Sequence, residues 1–193
     1  LAAVFVYFFT VNLFNKGYLV FTGGEFMVNL VLFYMIFIQR SDKKRDGNPE
    51  FTPLQNVLNN TFYWVILIQV CVVYFFSNLF KLLDPIWLSG EALMYISRVD
   101  AYSSATMRFL FADNLTLSII GTYLVLLYQG LFPILVWFKR IKIPFLTIGI
   151  LFHLGIAFGM GIFTFGFIMI IVYIPFLSDE QVRKMQKIFS RKS

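Results

Sequence analysis

The sequence is poor in the side chains that build metal sites, redox pairs and disulfides. It has a single cysteine, Cys71, and a single histidine, His153, among 193 residues. One cysteine can form neither an internal disulfide nor a Cys-x-x-Cys pair. A lone histidine without neighbouring cysteines or carboxylates does not make a metal site of the usual kind. We therefore predict no metal ion, and we interpret Cys71 as a small packing residue.

Charged residues are also scarce, at 13% of the chain, whereas 59% is hydrophobic. This composition is far from that of soluble domains and predicts a polytopic membrane domain, with the lipid bilayer as its main partner. The sequence has no glycine-rich phosphate-binding loop ending in Lys-Ser or Lys-Thr, so an ATP-driven pump is not indicated. The net charge of +6 does not indicate nucleic-acid binding, because the basic residues cluster between apolar runs.

Apolar runs predict an all-α transmembrane helix bundle of about six passes, with interfacial helices in the 83–114 stretch between the third and the fourth. The chain begins with Leu1 inside an apolar stretch, so we expect N-terminal sequence to be missing. The last apolar region is longer than one pass requires, and its glycines predict two passes that break near residues 159–165. The predicted passes are Ala2–Phe14, Phe26–Ile38, Phe62–Leu82, Leu115–Phe138 and the two halves of Pro144–Leu177.

The basic residues predict an orientation. Four lie in residues 40–45, three in 139–142 and five in 183–192, whereas the other four lie in the alternate connections. Such a bias predicts that the basic loops and the C-terminus are cytoplasmic. We therefore predict a transmembrane domain at residues 1–177 and a basic cytoplasmic tail at 178–193, with Lys81 on the outer side.

Lys81 closes the third predicted pass. At 100° per residue, Tyr74, Ser77, Asn78 and Lys81 fall on one face of this helix. An ammonium group is costly in hydrocarbon, so Lys81 either extends to the interface as an anchor or faces a polar cavity. Both interpretations are open, and from spacing alone the anchor is the commoner case.

His153 lies well inside the fifth predicted pass. Its neighbours on the same face are the small residues Gly149, Ala157 and Gly161, a pattern typical of helix packing. The histidine therefore either bonds a neighbouring helix within a packing groove or exchanges protons near neutral pH. The two interpretations are equally open.

The segment Asp84–Gly90 is predicted to turn into an interfacial helix. Ser89 is a candidate cap for that helix. Trp87 is expected at the level of the lipid headgroups, where indoles more often anchor a protein than bind a ligand.

Four segments together resemble the HTTM family, the membrane domain shared by vitamin K-dependent gamma-carboxylases and many bacterial proteins. Their order and spacing agree with the family over nearly the whole chain, which implies the family fold. The segments are Phe14–Asn15 with Gly23–Glu25, Gln69–Leu82 with Trp87–Ala92, Tyr128–Leu135, and His153–Ile156 with Gly161–Phe165 and Met169.

The resemblance implies chemistry at Lys81 and His153. In the carboxylases, the lysine that corresponds to Lys81 is thought to deprotonate vitamin K hydroquinone, and oxygenation then yields a strong base and an epoxide. The histidine that corresponds to His153 lies in the same reaction cavity. A lysine can act as a base only where burial disfavours its charged form. The catalytic candidates are thus Lys81 and His153, and the candidates for binding a quinone or quinol are Tyr74, Ser77, Asn78 and Trp87.

Three departures from the carboxylases limit this expectation. Asn15-Lys16-Gly17 stands where the carboxylases have a functional histidine, Gln129 stands where many members have an acidic residue, and only a basic tail follows Leu177. We therefore do not expect gamma-glutamyl carboxylation. The resemblance instead implies a quinol-dependent, epoxidase-like enzyme of a bacterial inner membrane. Such an enzyme would act with a small partner protein in the modification or maturation of a secreted peptide at the outer face. The alternative is a non-catalytic transmembrane scaffold or subunit of a membrane complex.

Overall fold

The computed structural model describes residues 2–17, 23–38, 43–45 and 48–183. Most of these residues are helical, and the predicted all-α class holds apart from one ribbon of two short antiparallel strands. The predicted tail lies outside the described residues beyond position 183, as do positions 40–42 and 46 of the first basic segment. The elements are α1 (Ala2–Gly17), α2 (Gly23–Met35), β1 (Lys43–Arg45), β2 (Asn48–Glu50), α3 (Pro53–Leu82), α4 (Pro85–Leu88), α5 (Ala92–Ser97), α6 (Ala105–Phe111), α7 (Leu115–Leu135), α8 (Lys142–Gly159) and α9 (Phe163–Ile171), with 3₁₀ turns at Asp100–Tyr102 and Ile174–Phe176.

Three of the described helices, α3, α7 and α8, are long and apolar enough to cross a membrane. Their outward faces carry large apolar side chains, such as Leu124 on α7 and Leu151 on α8, which are 58% and 65% exposed. Rows of exposed leucine are costly in water but natural against lipid. Shorter apolar helical segments occur at Ala3–Asn12, Gly23–Met35 and Phe163–Phe176. The prediction of a helical protein is therefore confirmed, and three of its described helices have the length and composition that crossing a membrane requires.

Helix α3 begins earlier than predicted. The polar stretch at 47–60 was expected to precede a helix that starts at Phe62, but α3 starts at Pro53 and runs for 30 residues. Thr52 caps it: its hydroxyl accepts a hydrogen bond from the Gln55 backbone, and the Gln55 side chain accepts one from the Thr52 backbone. This reciprocal pair, with proline in the first turn, is a strong helix start. At 1.5 Å per residue α3 is about 45 Å long, so it extends beyond an apolar layer of about 30 Å.

The connection between α3 and α7 contains the short helices that were predicted there, α4, α5 and α6. The predicted cap was wrong in its position. Asp84 caps α4, because its carboxylate accepts a hydrogen bond from the Ile86 backbone N–H at 2.8 Å. Ser89 instead ends α4, where its hydroxyl donates to the Ile86 carbonyl. Proline at the first helical position explains why the helix starts directly after Asp84.

Helix α5 is held against α7 by two hydroxyl side chains that are fully buried. The Ser118 hydroxyl accepts a hydrogen bond from the Met94 backbone at 2.9 Å and donates to the Gly90 carbonyl at 3.1 Å. The Thr122 hydroxyl accepts one from the Leu93 backbone at 3.3 Å. Polar side chains of the apolar helix α7 thus satisfy backbone groups of the α5 segment.

The break predicted within the last apolar region is confirmed. Helix α8 ends at Gly159 and α9 begins at Phe163, with Gly161 between them at a φ of +71°, where L residues are strained. Gly161 therefore lies outside α8, and the predicted small-residue face is limited to Gly149 and Ala157, both buried. Helix α9 packs back on α8 very closely, since a Cβ at Gly166 would lie 2.6 Å from the His153 carbonyl oxygen.

Candidate functional site

The predicted polar face of α3 turns toward α7. Tyr74 is buried, and its ring stacks on Phe132 of α7 with centroids 3.9 Å apart. One turn further along, the Ser77 hydroxyl lies 3.5 Å from Oε1 of Gln129, also on α7. These contacts place the start of the α3 face at an interface with α7.

Lys81 is partly buried at the end of this face. Its ammonium group donates hydrogen bonds to the Ser77 hydroxyl at 2.8 Å and to the Ser77 carbonyl at 3.3 Å. The same nitrogen lies 5.0 Å from the centroid of the Trp87 ring, within cation–π range. Ion pairs of the described residues join Arg98 to Asp113 and Arg108 to Asp100 but do not include Lys81. Trp87 thus contacts the lysine directly, as both the anchor and the site interpretations allow.

Asn78 packs over a glycine of α7. A Cβ at Gly130 would lie 2.8 Å from the Asn78 amide nitrogen, so a larger residue at 130 would require the Asn78 side chain to move. The Asn78 Oδ1 atom is buried and has no hydrogen-bond partner among the described residues. A buried polar atom without a partner is costly in an apolar surrounding and is a natural contact for a ligand or a water molecule.

His153 belongs to a second polar cluster, which four segments of the chain build together. Its Nε2 atom lies 2.6 Å from the Tyr74 hydroxyl, and that hydroxyl is hydrogen-bonded to the Tyr173 hydroxyl. The Tyr173 hydroxyl in turn lies 3.0 Å from the Tyr128 hydroxyl. Tyr128, Tyr173, Tyr74 and His153 thus form a continuous chain of hydrogen bonds, which we call the tyrosine–histidine chain.

Glycine on α8 makes room for this chain. A Cβ at Gly149 would overlap the hydroxyls of both Tyr128 and Tyr173. The imidazole Nδ1 of His153 is buried and lacks a hydrogen-bond partner among the described residues. No group of three or more His, Cys, Asp or Glu residues able to hold a metal ion occurs in the described ranges.

The two clusters lie on the same α3–α7 interface but at different levels. Tyr74 and Lys81 are seven residues apart on α3, a distance of about 10 Å along the helix axis. The amine of Lys81 contacts Ser77 and Trp87, whereas the imidazole of His153 contacts Tyr74. The predicted catalytic pair is therefore not joined by a hydrogen bond, and each member has its own neighbours.

A cavity of about 550 Å³ lies between α7 and α8. Its wall is almost entirely apolar, and α5 and α6 contribute Leu93, Met107 and Phe111 to it. The size is typical of pockets that hold small molecules. The remaining lining residues are Gly121, Leu124, Val125, Leu127, Tyr128, Leu131, Phe145, Ile148, Leu151, Phe152, Gly155, Ile156 and Met160.

The tyrosine–histidine chain begins at this cavity. Tyr128 is part of the cavity wall, and its hydroxyl makes the first hydrogen bond of the chain. Phe152, another wall residue, contacts the His153 ring with centroids 5.0 Å apart. Neither Lys81 nor His153 lines this cavity. Three hydroxyl groups therefore connect the imidazole to Tyr128, a residue of the cavity wall, and a proton can shift along their hydrogen bonds.

Three residues of these clusters, Tyr128, Gln129 and Tyr173, are not among the site residues predicted from the sequence, although Tyr128 and Gln129 lie in a segment that resembles the HTTM family. A signal was available for the tyrosines, because a hydroxyl deep within an apolar run needs a partner. That signal does not name the partner, which depends on how the helices pack. Tyr74 and His153 were both predicted as site residues, but the hydrogen bond between them also depends on how the helices pack.

The sequence and the structure were compared with protein-family models, with curated proteins and with solved structures, and none of the three comparisons finds a match.

Proposed function

We propose that this protein is a quinone-linked integral membrane protein that takes part in the modification or maturation of a partner peptide. The observation that carries the proposal is the apolar cavity between α7 and α8 with Tyr128 in its wall. Quinones of membranes are apolar molecules with one polar ring, and this cavity offers an apolar wall in which Tyr128 is the polar residue. The HTTM-like segments around Lys81 and His153 support the choice of a quinone over other apolar ligands.

The residues of the site would serve different tasks in this proposal. A bound quinol supplies reducing equivalents and an ionisable hydroxyl. Tyr128 positions a ligand oxygen by hydrogen bonding, and the hydroxyls of Tyr173 and Tyr74 extend that contact to His153. Lys81 lies outside the cavity wall, so its role as a base rests on the resemblance and on its partly buried amine.

The proposal includes a topology of six passes in a bacterial inner membrane. In this arrangement the three long helices account for three passes, and the shorter apolar segments of α1, α2 and α9 account for the other three. The basic loops and the tail are cytoplasmic. Single cysteines placed at Ser41 and Ser89 in a Cys71→Ser background test it. An impermeant maleimide applied to intact spheroplasts should label the cysteine at 89 but not the one at 41, and the reverse pattern would contradict the orientation.

Bound quinone is the direct test of the ligand. The protein should be purified in native lipid particles, extracted with organic solvent and analysed by mass spectrometry for quinones. A Gly155→Leu variant should lower the bound amount, because Gly155 lines the cavity and a Cβ there meets nothing within 4 Å. Thr147→Leu is the matched control, since it adds bulk on the exposed side of the same helix outside the cavity wall.

A non-catalytic scaffold is the second candidate, and one observation favours it. The imidazole of His153 is 1% exposed and is packed among aromatic rings, as in a purely structural cluster. In that case no quinone is recovered from the wild-type protein, and Lys81→Ala and His153→Ala proteins that still fold keep full function in cells.

A further inference from the structure

The cavity between α7 and α8 is unsealed on one side. Four wall residues that flank the gap between the two helices, Leu124, Leu127, Ile148 and Leu151, are each more than half exposed. Both helices are long and apolar enough to cross a membrane. The surroundings of this gap are therefore the hydrocarbon of the bilayer rather than water.

The other limits of the cavity are formed by protein. At the end next to α5 and α6, Leu93, Met107 and Phe111 contribute to the wall, and α6 is tied to the end of α8 by a hydrogen bond from the Ser104 backbone to the Gly159 carbonyl at 2.9 Å. On the inner side, Phe145 stacks on Tyr128 with ring centroids 4.8 Å apart. The cavity is thus open on the side that faces lipid and closed by protein on its other sides. This arrangement favours a ligand that arrives through the bilayer.

We infer that the cavity is a tail site, which takes the hydrocarbon chain of a membrane-dissolved molecule sideways through the gap between α7 and α8. This inference deepens the proposed function and rests on it for the identity of the molecule, a quinone with a hydrocarbon tail. The chemistry of the wall supports a hydrocarbon tail rather than a ring system alone, because Tyr128 is the one residue with a polar side chain among those that line the cavity. The tail lies along α7 and α8, and the polar ring lies next to Tyr128.

Photolabelling tests the site. The full-length protein is placed in phosphatidylcholine vesicles that contain a trace of a quinone with a diazirine in its tail, and labelled residues are located by peptide mass spectrometry. Labelling is expected at Met107, which lines the cavity but is only 8% exposed and so is shielded from bulk lipid. Gly155→Leu should abolish this label, whereas Thr147→Leu should leave it unchanged.

Competition identifies the part of the ligand that binds. An excess of unlabelled quinone with a tail should remove the Met107 label, while the same quinone ring without a tail should not. Equal competition by the tailless ring would overturn the tail site. Absence of label at Met107, with a quinone still recovered by extraction, would also overturn it while leaving the proposed function intact.

A phosphatidylcholine with a diazirine in its acyl chain separates the two proposals. If this probe labels Met107 and no quinone competes, the lateral tail site stands for hydrocarbon chains but the quinone function fails. If the acyl probe labels only exposed positions such as Leu151, and the quinone probe labels Met107, both proposals are supported.

Discussion

The hydroxyl oxygen of Tyr74 lies 2.6 Å from Nε2 of His153, and both side chains are at most 2% exposed. This hydrogen bond joins α3 to α8 across 79 positions of the sequence. It also fixes the order of the tyrosine–histidine chain, because the same hydroxyl contacts Tyr173. The Tyr74 hydroxyl thus has two roles. It holds α3 against α8, and it connects the imidazole of His153 through Tyr173 to Tyr128 in the cavity wall.

Tyr74→Phe should destabilise the protein while keeping its shape. The change removes the hydroxyl that contacts both His153 and Tyr173, and leaves Nε2 of His153 buried without a partner. We expect a loss of about 1–2 kcal/mol in the free energy of unfolding, typical for hydrogen bonds between membrane helices. Reversible unfolding in mixed micelles measures it. Tyr102→Phe, at a side chain that is half exposed, should have no effect.

Gly149→Ala and Gly155→Ala should differ sharply, although both replace a glycine of α8 by alanine. At Gly149 the new methyl group overlaps the hydroxyls of Tyr128 and Tyr173, so overpacking should cost about 1–3 kcal/mol. At Gly155 the methyl group meets open space, and the better helix propensity of alanine should leave stability equal or slightly higher. Thermal unfolding of the two variants under the same conditions measures the difference in stability. Equal stability would contradict the close packing at Gly149.

The Lys81→Arg variant distinguishes between the two interpretations of Lys81, an anchor of the helix end and a catalytic base. Arginine keeps the positive charge and can remain over Trp87, but it does not lose its proton in proteins. If Lys81 acts as the base, the variant should lose oxygen-dependent quinol consumption while protein abundance in the membrane stays normal. Full activity of Lys81→Arg, together with a loss of abundance in Lys81→Met, would show that Lys81 only anchors the helix.

Ser118→Ala should loosen α5. The Ser118 hydroxyl accepts a hydrogen bond from the Met94 N–H and donates one to the Gly90 carbonyl, so the change leaves both backbone groups without that partner. We expect faster amide hydrogen exchange at residues 93–97 and a stability loss of about 1–3 kcal/mol. Ser104→Ala removes a helix cap from α6 without touching α5, and serves as the control. Unchanged exchange at 93–97 would show that α5 is held by other contacts.

Much of the architecture followed from local patterns. The apolar runs of α3, α7 and α8 satisfied the length and hydropathy that a membrane requires, and the glycines after residue 154 marked the break before α9. The α3 face that begins at Tyr74 followed from helical periodicity alone. The polarity of residues 47–60 predicts a later start for α3 than the structure has, whereas the capping pattern of Thr52, Pro53 and Gln55 sets the start at Pro53.

The sequence by itself determined the class of the protein, its longest helices and the residues that share one polar face of α3, because these depend on hydrophobicity and on a period of 3.6 residues. Tertiary structure alone decided that Tyr128 and Tyr173 meet His153, that Lys81 lies with Ser77 and Trp87 about two turns away, and that α7 and α8 enclose a cavity. These outcomes depend on how helices distant in sequence are arranged. In an apolar layer many arrangements bury similar areas, and specific hydrogen bonds and glycine contacts select among them.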